Sequence, residues 1–323
     1  MALPWITLER ITDACSRTGV FLPGFLLCGC TMDDQFSTCH DQRIKDVQNT
    51  LKQKMNRNHK EPAVLISSFI LAVLIMISSF TGIFFPGFYS RETANWQAQS
   101  IGQDMIDLFI AVPFLVITAI FAYKKNKRAR LLWGGVLIYL VYTFTIYCFD
   151  IHFNRLFIVY CFTLGLSFYS FIYFLFLQLK QAIPELKNSL PGRITAIYFL
   201  VISIGFYFFW LSDIIPPAIQ NKIPKTLIDV GLPTNPVHVI DLSLFLPALF
   251  ITAILLLQKK PFAYIFVPVF LVFFILMDIT IGTLIIVMKI KGLQADLSVT
   301  IAMSILSVWS AILLTWFLKK INT

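Results

Sequence analysis

Long apolar runs alternate with short polar breaks along this chain. Eight runs reach the length of about 20 residues that an α-helix needs to cross the hydrocarbon core of a bilayer. They cover residues 63–85, 101–122, 131–151, 155–179, 193–215, 237–258, 262–288 and 297–318. Only Lys259, Lys260 and Pro261 separate the sixth and seventh runs, and paired lysines do not lie in lipid. The pattern predicts an all-α integral membrane protein with eight transmembrane helices and a tight hairpin at this break.

Composition supports that fold class. The 323 residues are 58% hydrophobic and 13% charged, with a mean hydropathy of +0.78. A soluble domain is about half apolar and about one quarter charged. The composition excludes collagen, a disordered chain, a disulfide scaffold and a soluble enzyme, and it makes the lipid bilayer the predicted partner.

Basic residues are distributed unequally between the two sides of the predicted spans. From residue 52 onward, 16 Lys and Arg residues fall on the side of the chain termini and 6 on the other. Because an excess of Lys and Arg marks the cytoplasmic side, both termini are predicted to be cytoplasmic. This bias also accounts for the net charge of +9, so no nucleic-acid partner is predicted. On the outer side the longest loop is 216–236, and its five prolines predict a non-helical path.

The first 54 residues differ from the rest and hold four of the six cysteines. Met55 lies directly before the first span, and we favour the interpretation that residues 1–54 are an upstream translation artefact. Otherwise residues 1–61 form a cytoplasmic tail. Its apolar stripe would lie on the inner membrane surface. The stripe consists of Ile44, Val47, Leu51 and Met55.

Two spans share a motif. Residues 107–120 read DLFIAVPFLVITAI, residues 241–254 read DLSLFLPALFITAI, and eight of the fourteen positions are identical. The identities include Asp, Pro and Thr, which are rarer in apolar helices than Leu or Ile. The shift of 134 residues also maps the first span onto the fifth. We therefore predict two tandem four-helix units, 62–187 and 188–323, related by a pseudo-twofold axis along the membrane normal.

Acidic residues collect toward the outer side of the predicted spans. Nine of the ten acidic residues from position 62 onward lie outside or in the outer part of a span. Asp278 follows Pro261 by 17 residues, or about 25 Å of helix, which predicts a position in the outer third. An ionisable group inside a span costs on the order of 3 kcal/mol and usually faces the bundle interior or water.

These positions predict a substrate- or ion-binding site. The second and sixth helices would face one another and line an outward-opening acidic cavity that takes a cation or a proton. Asp104 precedes Asp107 by three residues, as His238 precedes Asp241, so each pair shares a helix face. The predicted binding residues are Asp107, Asp241, Asp104, His238 and Asp278.

Proline follows each repeated aspartate by six residues. Pro113 and Pro247 are predicted to kink their helices, because proline frees a backbone carbonyl one turn earlier. An equally weighted alternative is that Asp107 and Asp241 only cap helix starts. Asp278 has no predicted helix start nearby.

Motifs for other chemistry are weak. One histidine with scattered aspartates makes a poor metal signature, so the metal is left open. The sequence contains no phosphate-binding glycine loop, no His-Glu-x-x-His motif and no Gly-x-Ser-x-Gly elbow, and no cofactor is predicted.

Part of the second half resembles a known group. The stretches are Trp210-Leu-Ser-Asp213, Gly231 through Asp241-Leu-Ser, and Leu246-Pro247-Ala248. They resemble bacterial multi-pass membrane proteins of unknown function over roughly residues 200–280. The resemblance implies a prokaryotic cytoplasmic membrane protein and supplies no activity.

The function predicted first is a small permease or an ion- or proton-coupled transporter. The duplication, the proline-bearing paired helices and the intramembrane carboxylates favour it. A non-transporting sensor or assembly protein comes second. A membrane-embedded enzyme that uses Asp and His at its outer face comes third, because the catalytic motifs are missing.

Overall fold

The computed structural model describes residues 61–179 and 190–320, and this part of the chain is helical without β-strands. Eight of its helices are long and apolar enough to cross a membrane, which fits the predicted polytopic all-α membrane protein. A ninth helix, α6, is short. In chain order they are α1 Pro62–Phe84, α2 Ala94–Tyr123, α3 Lys127–Asp150, α4 Phe157–Leu179, α5 Leu190–Ile219, α6 Lys225–Val230, α7 Pro236–Leu257, α8 Ala263–Ile290 and α9 Leu297–Lys320.

The predictions for the N-terminal segment fall outside the described residues. They include the alternative start at Met55 and the stripe on the inner membrane surface. Almost all of the proposed tail 1–61 is affected, since the description begins at Glu61.

Helix α2 begins seven residues before its predicted start. Thr93 caps it, and its Oγ1 accepts a hydrogen bond from the Trp96 backbone N–H at 3.2 Å. Half of its first ten residues are Asn, Gln or Ser, and this stretch therefore resembles a loop in sequence. Asn95, Gln99 and Gln103 line a cavity inside the bundle, so these polar side chains do not face lipid.

The prediction of a non-helical path through residues 216–236 is wrong at two places, because α6 lies within this loop and the start of the loop belongs to α5. That helix continues through Pro216 and Pro217 to Ile219. Both prolines lie in its last turn, where their carbonyls still accept bonds from Gln220 and Lys222. Each proline lacks the N–H that would continue the helix bonding, and the helix ends two residues after Pro217.

Helices α3 and α8 form the centre of the bundle. In an apolar stretch of 18 residues, 67% of the residues of α3 and 56% of those of α8 are buried inside the bundle. The corresponding share is 44% or less in the other six spans. The two helices touch at Gly135, where an added Cβ would lie 2.5 Å from Cβ of Val272. Helix α8 also packs against α2 and α9. The described residues thus belong to one compact unit, and the division into two four-helix units stays a prediction.

Large apolar side chains cover the outside of the bundle. Phe69 is 69% exposed, Phe149 is 74% exposed and Phe208 is 73% exposed. Such an exterior is unfavourable in water and suits lipid. We call the end of the bundle that carries Lys124, Lys125, Lys259 and Lys260 the basic end. The opposite end, which carries Asp229 and Asp296, is the acidic end.

Candidate functional site

A cavity of about 840 Å³ lies between α2, α3, α5, α7, α8 and α9. It runs from exposed residues at the acidic end, including Thr226, Asp229 and Ser298, to buried Leu246 and Phe273. Its wall is mostly apolar and aromatic. Among the described residues, three acids line it, namely Asp229, Asp241 and Asp278, and no Lys, Arg or His does.

Asp278 is the least satisfied acid of the wall. The residue is only 5% exposed, and its Oδ2 is buried without a hydrogen-bond partner. It lies near the midpoint of the 28-residue helix α8, about 18 Å from the end at Ile290. The depth of Asp278 in the bilayer, predicted to be the outer third, stays a prediction. An ionised carboxylate in this position needs a cation or a proton to offset its desolvation.

Asp241 also lies in the cavity wall but is well satisfied. Its Oδ1 accepts a hydrogen bond from Tyr142 Oη at 3.0 Å, and its Oδ2 accepts one from Trp210 Nε1 at 2.9 Å. Tyr142 belongs to α3 and Trp210 to α5, so this carboxylate ties three helices together.

Asp107 lies behind the wall and is fully buried. Its Oδ1 accepts hydrogen bonds from Tyr139 Oη at 2.8 Å and Gln103 Nε2 at 3.0 Å, while Oδ2 has no partner. Tyr139 Oη also lies 3.0 Å from Thr280 Oγ1. Gln103 and Thr280 line the cavity, so a short polar chain links Asp107 to the wall.

Asp104 is held by two phenols. Its Oδ2 accepts from Tyr89 Oη and its Oδ1 from Tyr147 Oη, each at 2.7 Å. Tyr89 lies in the loop before α2, and burial together with the neighbouring carboxylate raises the pKa of its phenol well above the ordinary value. The phenol therefore remains a donor. Tyr147 lines the cavity, whereas Asp104 does not.

His238 lies beside the cavity and not in its wall. Its ring centroid is 4.4 Å from that of Trp210, which does line the cavity. Of the five predicted binding residues, the structure places Asp241 and Asp278 in the wall. It places Asp104, Asp107 and His238 behind it, each in contact with a wall residue.

The two repeated aspartates each begin a π-helical turn. The turns are Asp107–Ala111 in α2 and Asp241–Phe245 in α7. In each, the backbone N–H that follows the turn bonds to the aspartate carbonyl five residues earlier, from Val112 and from Leu246. Such turns insert one residue into a helix and are frequent at functional sites.

Proline comes next in both copies. Pro113 and Pro247 lie just after the π-helical turns, within the first two positions of the renewed α-helix. Proline cannot donate a backbone hydrogen bond. Here the missing N–H falls where the π-helical turn already interrupts the regular i→i+4 bonding of the helix. The predicted kinks stay predictions. The repeated threonines do not reach the cavity, because Thr118 Oγ1 bonds to Phe114 O and Thr252 Oγ1 bonds to Ala248 O.

The capping interpretation of Asp107 and Asp241 is wrong. Asp107 lies thirteen residues inside α2, whose cap is Thr93. Asp241 lies five residues inside α7, where the Asn235 side chain accepts from the N–H groups of Val237 and His238. Both carboxylates bond to side chains of other residues and not to free helix-end amides.

Two other acids toward the acidic end lie away from the wall. Asp150 is 4% exposed, with Oδ2 unpartnered, and it does not line the cavity. Asp213 accepts a hydrogen bond from Thr226 Oγ1 at 2.9 Å. At the same end His152 Nδ1 lies 2.9 Å from Glu92 Oε2.

The sequence interpretation missed the donors. Tyr139, Tyr142 and Tyr147 of α3 serve Asp107, Asp241 and Asp104 respectively. The sequence does contain an indication of these donors, since Tyr139 and Tyr142 are three residues apart and therefore share a helix face. Trp210 lies in the aromatic segment 206–210, which in sequence is typical of a membrane boundary, and yet it donates to Asp241.

No protein-family model, curated protein or solved structure matches this chain. The carboxylates, their donors and the cavity therefore provide the basis for a functional proposal.

Proposed function

We propose that the chain is a small permease or an ion- or proton-coupled transporter, and that the cavity is its binding compartment. The observation that supports this best is Asp278, a buried carboxylate without a hydrogen-bond partner in the cavity wall, near the midpoint of a central helix. Transporters commonly bind substrates and coupling ions near the bilayer midplane, between helices that depart from regular α-helical geometry.

The proposal includes a tandem duplication of a four-helix unit. Backbone geometry recurs at the sequence shift of 134 residues, which supports it. The two π-helical turns begin at Asp107 and Asp241, and the helices that contain them end at Tyr123 and Leu257. Lys125 and Lys259, also 134 apart, both have a positive φ, of 66° and 58°.

The proposed coupling step is neutralisation of Asp278. While ionised, this carboxylate pays a desolvation cost that no protein donor offsets. A bound cation or proton removes the cost and so stabilises the occupied, closed form over the empty one. The π-helical turns of α2 and α7 are proposed as the flexible positions, and α3 links them through Tyr139 and Tyr142.

We further propose that the acidic end faces outward and that the protein lies in a prokaryotic cytoplasmic membrane. The excess of Lys and Arg at the basic end supports the orientation. The resemblance over residues 200–280 supports the membrane.

Flux into proteoliposomes tests the proposal. The full chain is reconstituted, and inward gradients of protons, sodium and potassium are imposed in turn, with a trapped dye or a tracer as the readout. We expect protein-dependent entry of at least one of these ions, and we expect Asp278→Asn to slow it about tenfold or more, since the missing charge acts at the binding step.

Asp296→Asn is the matched control. Asp296 is exposed near the start of α9, outside the cavity wall, and its Oδ1 accepts from Ser298 N, a bond that asparagine can also accept. This variant should transport like the wild type. Absence of flux for all three ions, or equal rates in wild type and Asp278→Asn, would overturn the proposal and favour the sensor or assembly alternative.

A further inference from the structure

The charge of the cavity wall restricts what can bind there. Asp229, Asp241 and Asp278 line it without any basic lining residue. Two donors satisfy Asp241, and Asp229 is exposed at the mouth, so Asp278 is the deep charge that still lacks a partner. An anion would meet this carboxylate without compensation. The wall therefore favours a ligand with positive charge.

The rest of the wall restricts the kind of cation. A small inorganic ion must exchange its hydration shell for several oxygen ligands. Within the described ranges, no three His, Cys, Asp or Glu side chains converge so that they could hold a metal ion. An organic cation spreads its charge over a larger centre and needs one counter-ion and apolar contacts, which this wall provides.

Aromatic rings supply those contacts. Rings attract cations through their faces and also accept the apolar groups that surround a charged centre. Six of the aromatic residues in the wall are Tyr142, Tyr198, Phe206, Trp210, Phe273 and Phe274. The cavity volume of about 840 Å³ also falls within the range of about 300 to 1,000 Å³ that is typical of sites for drug-sized ligands.

We propose that the cavity binds an amphipathic organic cation, in which apolar groups surround one positively charged centre, with Asp278 as its counter-ion. The inference rests on the proposed function in taking the cavity as the binding compartment. It goes further by naming the ligand class.

A pair of probes with the same shape and opposite charge tests this directly. Tetraphenylphosphonium and tetraphenylborate share four phenyl groups on a central atom. Equilibrium binding of radiolabelled tetraphenylphosphonium is measured on the full chain in lipid nanodiscs, with empty nanodiscs subtracted. We expect saturable binding that tetraphenylborate does not displace. Asp278→Asn should weaken it about tenfold or more, and Asp296→Asn should leave it unchanged.

A second variant keeps the test independent of Asp278 itself. Gly205 of α5 lines the cavity, and nothing lies within 4 Å of a Cβ built on it. Gly205→Phe should therefore fold and reduce binding by occupying the space. Gly165→Phe is the matched control, because Gly165 of α4 is equally open but does not line the cavity.

The outcomes separate this inference from the transport proposal. Equal displacement by tetraphenylborate, or unchanged binding in both Asp278→Asn and Gly205→Phe, would overturn the organic-cation site. Ion flux without tetraphenylphosphonium binding would overturn it too, while leaving the transporter intact. Specific binding without flux of any of the three ions would uphold the site and overturn transport.

Discussion

The carboxylates of this bundle differ in how far hydrogen bonds offset their burial. Asp104 and Asp241 each have one donor on each oxygen, and Asp107 has two donors on one oxygen and none on the other. For Asp278 no hydrogen bond offsets the burial of Oδ2. The well-satisfied acids hold helices together, and Asp278 is the acid of the cavity wall whose unpartnered oxygen is available to a ligand.

Sequence reasoning selected these aspartates because charge in an apolar run is conspicuous. The sequence does not show which of these aspartates lack hydrogen-bond donors, since the donors come from other helices. Tyrosine, tryptophan and glutamine donors are unremarkable in a membrane sequence. Tyr139 and Trp210 thus remained undetected until the helices were placed in three dimensions.

The Tyr139 phenol should contribute measurably to stability. Tyr139→Phe removes one of the two donors of the Asp107 Oδ1 atom and leaves a buried carboxylate less satisfied. We expect a loss of about 1 to 3 kcal/mol, seen as a lower melting temperature of the purified protein. Tyr169→Phe, at a side chain that is 70% exposed, is the control and should be neutral. Equal melting temperatures for the two variants would contradict the proposed role of the phenol.

Gly82 allows α1 to approach Asp104. A Cβ on this residue would lie 1.8 Å from Asp104 Oδ2 and 2.8 Å from Tyr89 Oη. Gly82→Ala should therefore displace the carboxylate and cost about 1 to 3 kcal/mol in thermal unfolding. The same change at Gly165, which has open space around it, should be neutral or stabilising by up to about 1 kcal/mol. If Gly82→Ala matched Gly165→Ala, the close approach would be refuted.

At the scale of elements, the apolar runs predicted the eight spans well, and their ends less well. The first two turns of α2, directly after Thr93, were not predicted as helix because they contain many polar residues. The sequence does not show that these side chains line an interior cavity. Pro216 and Pro217 predicted a loop, but both lie in the last turn of α5. The π-helical turns could not be predicted, since one inserted residue leaves hydropathy unchanged.

Deleting one residue tests the function of these turns. Leu244 lies in the turn Asp241–Phe245 and is 68% exposed, so its own contacts are few. Its removal should replace the i→i+5 bonding of the turn with the i→i+4 bonding of a regular α-helix and so change the backbone position of Asp241 at its start. We expect loss of tetraphenylphosphonium binding by the purified full chain. Deletion of Ile223, which is 67% exposed in the loop before α6, should be tolerated as the control. Retained binding without Leu244 would show that the turn does not position Asp241.

For the whole molecule, the two ends of the bundle differ in charge, which predicts the orientation. Lys124, Lys125, Lys259 and Lys260 should face the cytoplasm and the mouth of the cavity should face outward. A reporter that fluoresces only in the cytoplasm should therefore be active at the C-terminus. An epitope inserted at Gly87, in the turn between α1 and α2, should be reached by antibody on intact cells. The reverse pattern would place the cavity mouth in the cytoplasm and overturn the proposed orientation.

The most direct test of Asp278 as a ligand-binding carboxylate is the melting temperature of the purified full chain. It is measured at acidic and alkaline pH and with a panel of inorganic and organic cations. A ligand at about 100 times its Kd stabilises by about 2.7 kcal/mol, which such a measurement detects. We predict saturable stabilisation by an organic cation in the wild type and in Asp296→Asn. In folded Asp278→Asn a roughly tenfold weaker Kd reduces the stabilisation at the same concentration to about 1.4 kcal/mol or less. Equal stabilisation of the wild type and Asp278→Asn would contradict the central role of Asp278.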